Sequence, residues 1–129
     1  MEDARFQRGL EAMRALDEEN AARLEDALKE IAPDMYRRIV EFAFGDILSR
    51  PGLPAATREI VTLSALSAMG TAQPQLRVHI NGALNVGVRR DEIVEIFMQI
   101  GVYAGIPAAL NSLYLAKEVF AERDKKGLS

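Results

Sequence analysis

The chain has no cysteine and no tryptophan, and it has a single histidine, His79. Without a thiol it can form no disulfide, no redox pair and no cysteine nucleophile. One histidine without cysteine argues against a zinc site, and neither a glycine-rich phosphate loop nor a Gly-x-Ser-x-Gly motif occurs. Proton chemistry near neutral pH therefore has one obvious carrier, because histidine is the side chain that titrates there.

A long hydrophobic run is missing as well. The longest candidate, residues 93–110, is interrupted by Glu95, Gln99, two glycines and Pro107, and a bilayer-spanning helix needs roughly 20 apolar residues. The N-terminal sequence Met-Glu-Asp-Ala-Arg is charged and lacks the apolar core of a signal peptide. Since the lack of cysteine also fits a reducing compartment, we expect a cytoplasmic protein that does not bind membranes.

Length and charge narrow the class of protein. With 129 residues and 49% apolar content, the chain fits one globular domain, residues 1–129. We expect N-terminal helices in residues 1–50 and the remaining core in residues 51–123. The net charge of −3 does not attract phosphate backbones, so we expect no nucleic-acid partner.

The residue pattern predicts an all-α fold, a single-domain bundle of about six to seven helices. Alanine, leucine, glutamate and arginine are frequent, and apolar residues do not alternate with a period of two. Helices are predicted over residues 3–16, 18–31, 33–49, 54–69, 74–86 and 90–104, with a last helix that ends before the polar tail at residue 124.

Three local features of these helices are specific enough to check. The third helix is predicted to bury an apolar stripe of Met35, Ile39, Phe42, Ala43 and Ile47. The helix over residues 54–69 is apolar on nearly every side after Glu59, which predicts burial all round, in the core or in a subunit interface. Before the helix at residue 90, Arg89 is a poor N-cap, although Glu92 stands where the acid of a capping box belongs.

Polar residues in otherwise apolar helices mark a candidate site. Glu59 lies early in one helix and His79 near the middle of the next, while Gln99 and Tyr103 are four residues apart and share a face of the third. Short connections make consecutive helices antiparallel neighbours, so Glu59 is expected to approach His79 in a shared pocket. Gly82, one turn beyond His79, leaves space beside the imidazole.

Each of these residues also has a structural interpretation. His79 fits a core or interface residue satisfied by one hydrogen bond, and Glu59 fits stabilisation by the helix dipole alone. Gln99 fits a hydrogen bond to a backbone carbonyl, and Tyr103 fits core packing with its hydroxyl at an edge. Arg58 fits a solvated surface residue. The residues alone leave these alternatives open.

Four runs of this sequence resemble the carboxymuconolactone decarboxylase family. They cover residues 57–63, 76–88, 91–95 and 102–109, and they include Leu-Arg-Val-His-Ile-Asn-Gly-Ala-Leu and Tyr-Ala-Gly-Ile-Pro-Ala-Ala. The resemblance implies an alkylhydroperoxidase D-like helical subunit that assembles as a trimer or hexamer. In the thiol-peroxidase branch of that superfamily, a glutamate and a histidine flank a Cys-x-x-Cys pair. This chain has no thiol, so peroxide reduction by that route is excluded.

The resemblance also implies a reaction, the decarboxylation of 4-carboxymuconolactone or a similar lactone without a cofactor or metal. It places that reaction in aromatic-compound degradation, in the β-ketoadipate pathway. The conjugated lactone carbonyl of the substrate takes up the electrons that CO2 leaves behind. On this hypothesis the catalytic residues are His79, which delivers a proton to ring carbon, and Glu59, which orients the imidazole and supports its protonated form.

The remaining side chains are assigned to substrate binding. A guanidinium from Arg58 or Arg77 is expected to hold the second carboxylate in a two-pronged bond. Gln99 or Tyr103 is expected to donate a hydrogen bond to the developing oxyanion. The partner is thus a small carboxylated lactone.

Two other classes of function stay open from the sequence. One is a different small-molecule enzyme on the same scaffold, acting on a lactone or keto acid by proton transfer, because a fold does not fix a function. The other is a non-catalytic helical oligomer that binds a small molecule or a protein. Its signature is a Glu59 and a His79 that lie too far apart to cooperate, or that are both packed with no pocket beside them. An oligomer is also predicted from the apolar residues of 60–69 and 96–110, which exceed what one small bundle hides.

Overall fold

The computed structural model describes residues 3–129, and Met1 and Glu2 lie outside the described residues. The chain divides after Pro54 into two compact units. Residues 3–129 contain α-helices, one π-helix and no strand, which confirms the predicted all-α class. The single domain with a boundary at residue 50 stays a prediction.

The first unit begins with three α-helices, α1 (Ala4–Leu16), α2 (Glu18–Leu28) and α3 (Pro33–Arg38). Aspartates cap the first two, because Asp3 accepts from the backbone N–H of Phe6 at 2.8 Å and Asp17 from that of Asn20 at 3.1 Å. The helix predicted over residues 18–31 ends three residues early, and Ile31 is exposed instead of lying on its apolar face.

A π-helical segment, Ile39–Leu48, continues directly from α3. Its hydrogen bonds join residues five apart, as from the N–H of Ser49 to the carbonyl oxygen of Phe44 at 3.1 Å, so more residues fit in each turn than in an α-helix. This changes which side chains point inward. The predicted apolar stripe is wrong at Met35, Phe42 and Ile47, which are exposed, and the buried residues are Tyr36, Val40, Glu41 and Gly45.

The second unit has four helices, α4 (Ala55–Met69), α5 (Gln73–Asn85), α6 (Arg90–Ala104) and α7 (Ile106–Lys125), each within a few residues of its prediction. Gly105 separates α6 from α7 at φ 102°, a conformation that favours glycine, and Pro107 lies in the first turn of α7. The core they enclose consists of Leu63, Leu76, Ile80, Ala83, Val88, Ile93, Phe97, Leu115, Ala116 and Val119.

Two local predictions in this unit have clear outcomes. α4 buries only one face, which carries Glu59, Leu63 and Ser67. The prediction that α4 is buried on all sides within the core of the chain is therefore wrong. Its burial in a subunit interface stays a prediction. At the start of α6, the backbone N–H of Arg89 donates to Oε1 of Glu92 at 2.9 Å, which confirms the capping position of Glu92.

Candidate active site

Glu59 and His79 meet where α4 packs against α5. Oε1 of Glu59 lies 2.8 Å from Nδ1 of His79, which confirms the expected approach of the two side chains. The carboxylate side is buried, with Glu59 only 3% exposed, whereas 18% of the His79 side chain remains accessible. The pair therefore has its carboxyl group in the protein interior and part of its imidazole at the surface of the chain.

Helical spacing explains how the sequence places both side chains. Glu59, Leu63 and Ser67 are four residues apart and share the buried face of α4. On α5, His79 lies three residues after the buried Leu76 and beside the buried Ile80, at the edge of the core-facing surface. The apolar residues that drive the packing of α4 and α5 thus bring an acid and an imidazole together.

The contact links the protonation of the two groups. When Glu59 is ionised it can only accept hydrogen bonds, so Nδ1 of His79 is then the donor. The carboxylate fixes the ring orientation in this way, as acid partners of functional histidines commonly do. Nε2 is the nitrogen left to exchange a proton with a bound molecule.

The two candidate carboxylate-binding arginines have different surroundings. Arg77 is engaged by two carboxylates of α7, with Nη1 at 2.7 Å from Glu122 and Nη2 bonded to Glu118. A substrate would have to displace one of them. Arg58 is partly buried and directly precedes Glu59 on α4. Which of the two arginines holds a substrate stays a prediction.

Gln99 and Tyr103 lie on the exposed side of α6. Tyr103 is 89% exposed within the chain, so the interpretation of this tyrosine as a core residue is wrong. Gln99 is exposed as well. The structure does not bury either side chain beside Glu59 and His79, and their assignment to substrate binding stays a prediction.

One polar group in this unit was not expected from the sequence. Arg123, in the last turn of α7, is buried, and its Nη1 lies 3.1 Å from the side-chain oxygens of both Asn81 and Asn85 on α5. The available signal was its spacing, because Arg123 follows Ala116 and Val119 on the same helical face.

Over residues 3–129, no three His, Cys, Asp or Glu side chains lie close enough together to hold a metal ion. In the same part of the chain, no helix is both long and apolar enough to cross a bilayer.

Comparison with known proteins gives consistent matches. The model of the carboxymuconolactone decarboxylase family matches residues 33–118. A 4-carboxymuconolactone decarboxylase of Acinetobacter baylyi is 36% identical over 94% of this chain and 90% of its own length. An uncharacterized 15.0 kDa protein of Paracoccus denitrificans is 35% identical over 78% of this chain and 75% of its own. A nitrosuccinic acid decarboxylase of Metarhizium robertsii is 30% identical over 81% of this chain and 74% of its own length.

Proposed function

Because the chain belongs to the carboxymuconolactone decarboxylase family, we propose that it decarboxylates 4-carboxymuconolactone, or a closely similar lactone, without a cofactor. The observation that carries the proposal is the 2.8 Å contact between buried Glu59 and partly accessible His79. As part of the same proposal, the reaction serves aromatic-compound degradation in the β-ketoadipate pathway, in the cytoplasm.

The reaction needs one proton and one place for an electron pair. Breaking the bond to the carboxylate releases CO2 and leaves two electrons on the substrate, which pass through the double bond to the lactone carbonyl oxygen. Protonation of ring carbon returns the electrons to a carbon–hydrogen bond. Since the substrate supplies its own electron sink, the protein has to supply only the proton and a fitting environment.

His79 is the proton donor in this proposal. With Nδ1 bonded to Glu59, a protonated ring presents its Nε2–H to the substrate, and after transfer the neutral ring keeps its Nδ1 proton. Water then restores the Nε2 proton.

Substrate binding requires a cation for the carboxylate that is not lost. Arg58 is adjacent to Glu59 in sequence, and a guanidinium gives a two-pronged contact with a carboxylate. The apolar side chains of Ile60 and Leu63 on the same helix lower the local polarity, which penalises a bound carboxylate more than the dispersed charge of the transition state. Arg58 is therefore our choice of binding residue.

A second substrate class is favoured by a specific relative. The Metarhizium protein is named for nitrosuccinic acid, in which the carbon beside a carboxylate bears a nitro group. A nitro group accepts the electrons left by CO2 as a conjugated lactone carbonyl does. The same acid–imidazole pair would then protonate a nitronate carbon.

The non-catalytic interpretation has lost one of its two expected signatures. A Glu59 and a His79 too far apart to cooperate are not observed, since a hydrogen bond joins them. The other signature, a packed pair with no pocket beside it, is what the assay below has to separate from catalysis. A different proton-transfer reaction on the same scaffold remains the alternative that an assay has to separate.

The test is an assay of purified protein with 4-carboxymuconolactone and, separately, nitrosuccinate. CO2 release and the ultraviolet spectrum are followed, with a metal chelator present. We expect CO2 from the lactone, and we expect His79→Gln to lower kcat at least about a hundredfold. Gln75→Ala, an exposed change on the same helix, is the matched control. Release of CO2 from neither acid contradicts the proposed function, and an undiminished rate in His79→Gln contradicts the mechanism.

A further inference from the structure

Arg123 is a buried cation that the proposed reaction does not use. Only 6% of the residue is exposed, and its Nε donates to the backbone oxygen of Ser129 at 2.7 Å. Its Nη1 donates to the side-chain oxygens of Asn81 and Asn85, both at 3.1 Å. A single guanidinium nitrogen of α7 therefore bridges two amide groups that lie one turn apart on α5.

The bridge lies on the side of α5 opposite the catalytic histidine. At about 100° per residue, Asn81 and Asn85 lie roughly 200° and 240° around the helix axis from His79. Helix α5 is consequently held on one side by the hydrogen bond from His79 to Glu59 and on the other side by Arg123. Opposed contacts of this kind restrain rotation of a helix about its own axis.

A small rotation of α5 is enough to matter. A Cα atom lies about 2.3 Å from the helix axis and an imidazole nitrogen roughly 6 Å from it, so a rotation of about 10° moves that nitrogen by ~1 Å. A displacement of ~1 Å at a reacting group can lower a rate by about a hundredfold. The orientation of α5 therefore bears directly on proton transfer by His79.

We propose that Arg123 is a positioning residue for His79, because its bridge to Asn81 and Asn85 fixes the rotation of α5 and thereby holds the imidazole against Glu59. The catalytic consequence rests on the proposed function, whereas the orientation of the imidazole can be measured without a substrate.

A second set of contacts between α5 and α7 is less suited to this role. Arg77 bonds Glu118 and Glu122, but these carboxylates are more than half exposed. Water and salt compete for exposed ion pairs, which hold geometry loosely. Arg123 itself is buried, so water competes less for its guanidinium, and a broken bond would leave N–H groups of that guanidinium unsatisfied. The planar fork of a guanidinium also directs its N–H groups in fixed directions, which a lysine ammonium does not.

The experiment combines nitrogen NMR of the imidazole with steady-state kinetics. Because the chain has one histidine, labelling with 15N-histidine gives the signals of His79 alone. In Arg123→Met, which keeps the length but cannot bridge, we expect the Nδ1 signal to move away from its carboxylate-bonded position. We expect kcat to fall about tenfold or more while KM stays within about threefold, and we expect Arg123→Lys to recover part of the loss.

Two further variants make the outcome decisive. Arg90→Gln is the matched control, since Arg90 also bonds the C-terminal segment, at the Leu128 backbone oxygen and at Asp124, but does not reach α5. It should leave the imidazole signals and kcat unchanged. Asn85→Ala removes one of the two acceptors of Arg123, at the exposed last residue of α5. If Arg123→Met does not fold, this variant tests whether the bridge positions His79. It should shift the imidazole signals in the same direction by a smaller amount.

The proposal and the function on which it rests fail differently. Unchanged imidazole signals in folded Arg123→Met, or in Asn85→Ala if the former does not fold, overturn the positioning role even if the wild type releases CO2. Unchanged kcat with shifted signals overturns its catalytic consequence. If the wild type releases CO2 from neither acid, the proposed function fails, and the imidazole signals still decide whether Arg123 positions His79.

Discussion

At the scale of single residues, the buried carboxyl group of Glu59 has its hydrogen bond from His79. A buried carboxylate has lost most of its water, so it must be neutral or accept strong hydrogen bonds. Oε1 of Glu59 lies 2.8 Å from Nδ1 of His79. A proton moved on or off the imidazole therefore changes the interaction energy of the whole pair.

Replacement of Glu59 by glutamine separates charge from shape. Glu59→Gln keeps the volume and one hydrogen-bonding oxygen beside Nδ1 but removes the negative charge that supports the imidazolium. We expect kcat to fall by about a hundredfold, within the usual range for acid–base catalysis, when CO2 release is measured at saturating substrate.

The control for that substitution is Glu95→Gln, an exposed carboxylate on α6. It changes the net charge by the same amount and should leave kcat unchanged. An equal rate in Glu59→Gln and in the wild type would mean that the acid serves stability only.

A residue's role could be predicted when the residue is unusual in its local sequence. Glu59 and His79 were predicted as a pair because each is a rare polar group in an apolar helix. Arg123 was not predicted, because an arginine near the end of a helix normally lies in solvent. Only the close packing of α7 on α5 makes it a buried bridge.

At the scale of elements, α1 and the π-helical segment cross at glycines. A Cβ on Gly9 would lie 1.9 Å from the carbonyl oxygen of Val40, and one on Gly45 would lie 2.6 Å from that of Arg5. Both obstacles are backbone atoms, which cannot move aside as a flexible side chain can. The crossing therefore requires glycine at both positions.

Gly9→Ala is expected to destabilise the protein, although alanine has the higher helix propensity. Alanine in a helix normally adds up to ~1 kcal/mol of stability relative to glycine. Here the clash with Val40 should outweigh that gain and lower the free energy of unfolding by about 1–3 kcal/mol. Denaturant unfolding measures the change.

Glu11→Ala in the same helix is the exposed control for that change. It should alter the unfolding free energy by no more than about 0.5 kcal/mol. A stabilised Gly9→Ala would show that α1 and the π-helical segment do not pack as closely as described.

An ion pair also joins these two elements. Arg5 donates from Nε and Nη2 to the carboxylate of Asp46, at 2.7–2.9 Å. These hydrogen bonds from Arg5 hold the pKa of Asp46 below its ordinary value of 3.8. A lowered pKa in the folded state stabilises the fold above the ordinary value, and this contribution disappears as pH falls through the lowered one.

Asp46→Asn should therefore unfold at lower denaturant concentration than the wild type at neutral pH. The difference between the two proteins should shrink as pH is lowered below 3.8, because Asp46 of the wild type then becomes neutral. Asp26→Asn, in an exposed pair with Lys29 at the C-cap of α2, is the control and should have a smaller effect at neutral pH. A difference that grows on acidification contradicts this assignment.

At the scale of the whole molecule, the second unit has an apolar surface. Large side chains of α6 and α7 are exposed along it, namely Met98, Val102, Tyr103, Ile106, Leu110 and Tyr114. Exposed apolar surface of this extent is typical of interfaces. The predicted trimer or hexamer agrees with this surface and stays a prediction.

The mass of the protein in solution checks that assembly. We expect sedimentation equilibrium to give three or six times the chain mass of 14.2 kDa. Two negative charges placed on the surface, as in Val102→Glu with Ile106→Glu, should lower the mass, because burying unpaired like charges is unfavourable. Lys117→Glu, an exposed change on α7 outside this surface, should leave it unchanged. A monomeric wild type contradicts the predicted oligomer.

The sequence by itself determined the helices, the missing thiol chemistry and the two polar residues that carry the proposal. Helical periodicity, proline at helix starts and glycine at helix ends act over a few neighbouring residues, so they can be recognised in the sequence. Only the tertiary structure decided the π-helical register after Arg38, the exposure of Tyr103 and the burial of Arg123. Each of these depends on which helix packs against which, and that is set by contacts between residues far apart in the chain.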